Sequence, residues 1–572
     1  DYDTSLISEG GGVWPRSAKS IPVSEQAAAA LGLDGATSLA PNDLIRAILL
    51  APADLLWNGG IGTYVKAQSE SHDEVGDRSG DAYRVDGAQL RAKVVGEGGN
   101  LGATQRGRIE AAQSGVRINT DAVDNSAGVD TSDHEVNIKV LLGDVVREGG
   151  LDEPARVDLL ASMTDEVGEM VLRDNYEQNV LLGNARAQGG SMLSVHETFM
   201  TDLEERGELD RELEFLPSKT EVARRQEAGQ GLTSPELSVL LAYSKLALKA
   251  DLLESATPDD PATEDMLLSY FPQRIRDEYG DQVLAHPLRR QIVTTVLAND
   301  VVNRGGITFV HRAVTETGAT PEQVARAYVV IREVFGLDDY VAEVEALDAV
   351  VPTEVQTRLY LEFRRLLDRG VRWLLAARPG RLAIREEIER FAPVVAELGS
   401  SVGGMLQGSE AKRLEDNTAD LVERGVPEQL AARAASLLDG YSLLDITDIA
   451  ADSGQTPEQV AELYYLVSER FGIDDLLLRV TALPRVERWD SLARGALRDD
   501  LYATLQALTR SVLESSSELS DPTPEERWQS WLDGHDESWE RVRTSLAGIR
   551  ALSAPTVAAL SVALRMLRSV TR

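Results

Sequence analysis

The sequence predicts an α/β unit over residues 1–145, followed by a mostly α region over residues 146–572. Three observations predict it. Up to about residue 140, short apolar runs end in Gly-rich turns and alternate with helical stretches, the pattern of a parallel sheet. From about Thr131 onward, apolar residues recur at three- and four-residue steps, the helical period. Within that region one capped segment is used twice: Thr320-Pro321-Glu322-Gln323-Val324-Ala325 and Thr456-Pro457-Glu458-Gln459-Val460-Ala461.

The elements follow in order. Residues 44–50 read as a helix capped by Asn42 or Asp43. Asp54-Leu55-Leu56-Trp57 reads as a buried strand entering the turn Asn58-Gly59-Gly60-Ile61-Gly62. Residues 67–90 hold few apolar side chains and read as a loop. Ala92-Lys93-Val94-Val95 and Val116-Arg117-Ile118-Asn119 read as strands, each leading into a polar, Gly-containing turn. Thr131 or Ser132 is expected to cap a helix through Val136, Val140 and Leu141. Leu160, Met163, Val167 and Met170 share a helical face, and Ser234 is expected to cap a helix that has Pro235 at its first position. Val557, Leu560, Leu564 and Leu567 mark a last helix. In both copies of the repeated segment, Thr and Gln three apart form a capping box, and Phe-Gly-x-Asp-Asp closes the unit. The copies predict two similar helical units, near 320–347 and 456–484, in one bundle.

Composition narrows the chemistry. The 572 residues carry a formal net charge of −36, a field that repels phosphate backbones and argues against nucleic-acid binding. The same field requires local Arg or Lys wherever an anionic ligand binds; Lys66 and Arg16 are candidate countercharges. The absence of cysteine removes disulfides, thiolate nucleophiles and Cys-ligated metals. No apolar run reaches membrane-spanning length; residues 554–564 come closest and contain Pro and Ser. Of the histidines, His134 sits between acids at an expected helix start and reads as solvated or capping. His72, His196, His286, His311 and His535 show no paired ligand spacing, so no metal site is expected. Trp528, Trp531 and Trp539 are expected to pack a helical hairpin, and Asp338-Asp339 and Asp474-Asp475 to cap helices.

The residues with most chemistry lie in 96–132. Gly96-Glu97-Gly98-Gly99-Asn100-Leu101-Gly102-Ala103-Thr104 follows one strand, and Asp124-Asn125-Ser126-Ala127-Gly128-Val129-Asp130-Thr131-Ser132-Asp133-His134-Glu135 follows the next. Glycines let backbone approach a ligand closely, and Asn, Ser and Thr supply neutral hydrogen bonds. Open α/β sheets bind ligands at such strand ends.

These two turns resemble those in the second half of the nucleotide domain of glutamate dehydrogenases, nearest the very large NAD-dependent bacterial type. The first is similar to the family's Glu-Gly-Ala-Asn-x-Pro-Thr, with Gly99 for Ala and no Pro. The second is similar to Asn-Ala-Gly-Gly-Val-x-x-Ser-x-x-Glu and keeps the Asn125-to-Ser132 interval. Residues 8–16, the turn 57–66 and Leu232-Thr233-Ser234-Pro235-Glu236-Leu237 resemble the large branch in particular. The resemblance implies an incomplete Rossmann-like nucleotide-binding half followed by a helical domain. It implies that Asn58, Gly59, Asn100 and Asn125 contact NAD and that Ser132 binds the substrate's side-chain carboxylate. It also implies oxidation of L-glutamate to 2-oxoglutarate and ammonium, a homo-oligomer (tetramer or hexamer) and a cytoplasmic setting.

One departure stands out. The family's carbonyl-polarising lysine, proton-moving aspartate and glycine-rich dinucleotide turn have no counterpart in this sequence; Gly60-Ile61-Gly62 follows a strand, but Val65 takes the third glycine's place. The expectation is a C-terminal portion of a longer enzyme, with no catalytic residue of its own. Two rivals remain: a non-catalytic helical scaffold for oligomerisation or regulation, and a dehydrogenase for another amino acid.

Overall fold

The computed structural model describes residues 3–33, 35–484 and 488–571. The chain divides into two compact units, with the boundary between Asn303 and Arg304. The change of texture near residue 145 is therefore one of secondary structure, because the helices that follow it still belong to the first unit.

In the first unit the strands are short: β1 (Ile21–Pro22), β2 (Ser38–Leu39), β3 (Leu55–Asn58), β4 (Val65–Lys66), β5 (Val85–Asp86) and β6 (Val94–Glu97). β1 pairs antiparallel with β2; β3 with β6 and β4 with β5 pair parallel. Single parallel bridges join Val65 to Ala103 and Val94 to Arg117. The expected strand at 116–119 is thus reduced to one bridge, although Val116 and Ile118 are buried in the same core as Val65, Val85, Val95 and Ala111.

Several expectations need correction. The strand at 54–57 is not buried: Leu55 is 54% and Trp57 60% exposed, because β3 has β6 as its one ladder partner among the described residues. Residues 67–90 are not a plain loop. They hold the helix His72–Val75 and β5, organised around buried Arg84, which donates to the Thr63 carbonyl (2.8 Å) and pairs with Asp81 (2.8 Å). A guanidinium held by a backbone carbonyl and a carboxylate anchors the stretch beside the buried Val85 and Leu90. The helix Pro41–Leu49 starts at Pro41 behind Ala40 and has no side-chain cap, because alanine carries no acceptor.

The helix Ser126–Arg147 has Asn125 as its N-terminal flanking residue, six residues ahead of Thr131. A short helix, Asp121–Asp124, runs straight into it, and Asn125 is the break between them. Met163 likewise breaks the run between helices Glu153–Ser162 and Thr164–Ala187. Thr233, not Ser234, caps the helix Ser234–Leu253, in a capping box with Glu236. Ile138, Leu141, Leu142 and Val145 bury one face of Ser126–Arg147 against Leu159, Met163, Phe271 and Ile292.

In the second unit both repeated segments fold alike. Thr320 and Thr456 exchange capping-box bonds with Gln323 and Gln459. Gly336 (φ 55°) and Gly472 (φ 67°) then link helix Pro321–Val334 to Leu337–Glu345 and helix Pro457–Phe471 to Ile473–Ala482. The aspartate pairs lie in the first turn after these glycines rather than at caps, where they complement the helix dipole. Trp528, Trp531 and Trp539 surround Phe471 at centroid distances of 5.1, 5.1 and 4.8 Å. Among the described residues no helix is long and apolar enough to cross a membrane.

Asp445 is buried in this unit, accepting from Trp373 Nε1 (2.8 Å) and Tyr464 Oη (2.9 Å), and burial pushes its carboxyl up to about 6. The unfolded chain has released this proton by about pH 4, whereas the folded chain holds it until about pH 6. Stability therefore falls across that window as pH rises. The expected contribution is about 2–3 kcal/mol, lost by pH 7. Urea midpoints near pH 4 and pH 7 will differ less in Asp445→Asn than in the wild type.

Candidate functional site

The parallel register of β3 and β6 sets Asn58 opposite Glu97, so the turns that follow them lie side by side. Gly99 N donates to the Asn58 carbonyl at 3.0 Å. A Cβ at Gly99 would stand 2.4 Å from the Gly60 carbonyl oxygen, and one at Gly102 1.7 Å from Asn58 Nδ2. Only glycine permits this approach. Asn58 Nδ2 is buried with no hydrogen-bond partner among the described residues. Trp57 lies over Gly96 and Gly98, leaving no room for side chains there. Leu101 adopts a left-handed backbone (φ 56°), an uncommon conformation for a residue with a Cβ. It is held there by Asp121 Oδ2, which accepts from its N–H at 2.8 Å, and by Thr63 Oγ1, which donates to its carbonyl at 2.7 Å.

A buried ionic lattice fixes the turn from beneath. Glu97, 1% exposed, receives Arg108 through two N–H groups at 2.6 and 2.9 Å and the Ala103 N–H at 3.0 Å. Arg108 also reaches Asp121 at 3.0 Å. Asp124 accepts from the Glu97 N–H (3.0 Å) and from Asn119 Nδ2 (3.2 Å). Burial pushes the Glu97 and Asp124 carboxyls up, against the pull of Arg108.

The two sequence motifs meet directly: Asn125 Nδ2 donates to Asn100 Oδ1 at 2.8 Å. Ser132 is exposed and lies seven residues along the helix from Asn125. Seven residues make nearly two turns, so Asn125, Val129 and Ser132 share a face, with Ser132 roughly 10 Å along it. Ser132 is thus not at a helix start. The free amides belong to the first turn, and Ser132 offers its hydroxyl alone.

Two helices that the sequence reading did not connect to the site brace it. Asn175 Nδ2 donates to the Val123 carbonyl (2.7 Å) and to Ser126 Oγ (3.0 Å); Asn179 Oδ1 accepts from Asn119 Nδ2 (2.8 Å). Ser234 Oγ donates to Asn119 Oδ1 at 2.7 Å. The available signal was the pair Asn175 and Asn179 at helical spacing, since two amides on one half-buried face need partners.

Of the candidate countercharges, Arg16 is exposed, whereas Lys66 is buried and paired with Asp86 at 2.5 Å, so it is not free for a ligand. His134 is neither solvated nor capping. It is 2% exposed, one turn beyond Asp130, and stacks on Tyr270 at 4.4 Å. Asp130, His134 and Asp174 come together, with one ligand atom from each within 4.8 Å of the others. Burial and neighbouring Asp174 push Asp130 up to about 7, and burial brings Lys245, which faces the same acids, down to about 8.

Residues 229–569 match the family model described as glutamate dehydrogenase, C-terminal, and residues 1–185 match that for the bacterial NAD-glutamate dehydrogenase catalytic domain. The chain belongs to the bacterial NAD-specific glutamate dehydrogenase family. It is 47% identical over 579 residues to the NAD-specific glutamate dehydrogenase of Mycobacterium tuberculosis, covering 100% of this chain and 35% of that protein. It is 45% identical to the one from Halomonas elongata (95% of this chain, 34% of the relative) and 44% identical to the one from Pseudomonas aeruginosa (99% and 35%). The chain spans about a third of the length of these relatives. In this family's terms the catalytic-domain match takes in both turns, Ser132, Asp174 and Asn175, and Lys245 falls within the C-terminal match.

Proposed function

We propose that the protein containing this chain oxidises L-glutamate with NAD to 2-oxoglutarate and ammonium, and that this chain supplies the loops that orient cofactor and substrate. The reading rests on the Asn100–Asn125 hydrogen bond, which joins the two family turns. The parallel segments β3, β6 and Arg117 are then the second half of a Rossmann-like nucleotide sheet. The glycine cradle and the unpartnered amide of Asn58 fit a planar, amide-bearing ligand. Asn58, Gly59, Asn100 and Asn125 would hold the nicotinamide end of NAD. When bound, NAD supplies the acceptor for a hydride leaving the substrate α-carbon. Asn100 and Asn125 would orient the nicotinamide through their side-chain amides, a gain in proximity rather than acid–base chemistry. The Ser132 hydroxyl donates to the side-chain carboxylate of glutamate, which favours an acidic amino acid over an apolar one. We place the family's carbonyl-polarising lysine and proton-moving aspartate outside this chain. The assembly is a cytoplasmic homo-oligomer, a tetramer or hexamer.

Steady-state kinetics of the full-length parent test the site. Ser132→Ala should raise the KM for glutamate about tenfold, one charge-assisted hydrogen bond, with kcat nearly unchanged. An unmoved KM would remove Ser132 from the substrate site.

A further inference from the structure

The helix Ser126–Arg147 turns Asp130 and His134 toward Asp174 of the helix Thr164–Ala187. His134 Nε2 lies 4.0 Å from Asp130 Oδ1, and the three ligand atoms lie within 4.8 Å of one another. The imidazole is 2% exposed and is pressed against the Tyr270 ring, with an interplanar angle of 20°. The Tyr270 hydroxyl accepts in turn from Asn137 Nδ2 at 2.9 Å. Asp130 Oδ2 is buried with no hydrogen-bond partner among the described residues. Buried polar atoms of this kind are rare unless something satisfies them.

We propose that Asp130, His134 and Asp174 bind one divalent transition-metal cation of the Zn²⁺ or Mn²⁺ class. Two carboxylates and one imidazole suit such borderline ions, whereas Mg²⁺ and Ca²⁺ favour all-oxygen sets. Three protein ligands leave a coordination position for water. Lys245 is the positive charge these acids face when no cation is bound, so its ammonium and the cation compete. The consequence is mechanical. Asp130 lies five residues past Asn125, and Asp174 precedes Asn175, whose amide holds Val123 and Ser126. The cation ties these two helices together behind the Asn100–Asn125 contact and makes it sensitive to metal supply. The site itself does not depend on the NAD reading.

Titration calorimetry of the 572-residue chain with Zn²⁺ alone, then Mn²⁺ alone, tests this. One tight equivalent of at least one ion is expected in the wild type. Asp174→Asn and His134→Phe, which preserves the stack on Tyr270, should each weaken it at least about tenfold. Lys245→Met removes no ligand and should retain binding; circular dichroism checks that each variant is folded. The proposal is overturned if neither ion binds tightly, if both ligand variants bind as the wild type does, or if Lys245→Met abolishes binding.

Discussion

Arg108→Met is expected to destabilise the first unit by about 3–5 kcal/mol, the cost of leaving a buried charge without its partner. Arg108 serves Glu97 through two bonds and Asp121 through a third, and Glu97 is almost fully enclosed. Removing the guanidinium leaves two carboxylates facing each other beneath the turn. Asp121 also holds the Leu101 N–H, so its movement releases the left-handed residue that shapes the turn. Urea unfolding followed by circular dichroism measures the loss. Adding Glu97→Gln should restore much of it, because a neutral amide can stay buried where an unpaired carboxylate cannot. A loss below about 1 kcal/mol would mean that water reaches the pair and that it does not brace the turn.

Asn125→Ala is expected to lower kcat/KM for glutamate oxidation by the full-length parent about a hundredfold, about 2.7 kcal/mol of positioning. Its stability cost should be near 1 kcal/mol, since one exposed side-chain hydrogen bond, to Asn100, is lost. This difference between catalysis and stability separates an orienting role from a structural one. Asn100→Ala should behave alike, and the double variant should lose less than the sum, because the two amides act on the same ring. A fall of less than about threefold in kcat/KM, with stability reduced as predicted, would make the pair a loop fastener and nothing more.

Much of the site was legible as sequence because its parts are local. Glycine at 99 and 102, the asparagines and the strand residues ahead of them all follow from short-range rules. The approach of the 58–62 turn to the 98–104 turn then needs only a parallel register. The capping boxes at Thr320 and Thr456 were legible for the same reason. Ser132 was harder. Its hydroxyl looks like a cap, but the preceding short helix carries the chain straight through Asn125, and no isolated residue announces that continuity. The order of residues 67–90 was hidden because its anchor is a buried arginine.

The amino-acid order alone determined the family turns, the repeated helical unit and the shift from strand to helix, since each is encoded within a few residues by backbone freedom, capping and apolar period. The tertiary structure decided which charges lose their solvent. Glu97 with Arg108, Lys66 with Asp86, and Asp130 and His134 with Asp174 are brought together by packing between separate elements. Burial and charge pairing depend on the whole enclosure around a group, and no local stretch of sequence carries that information.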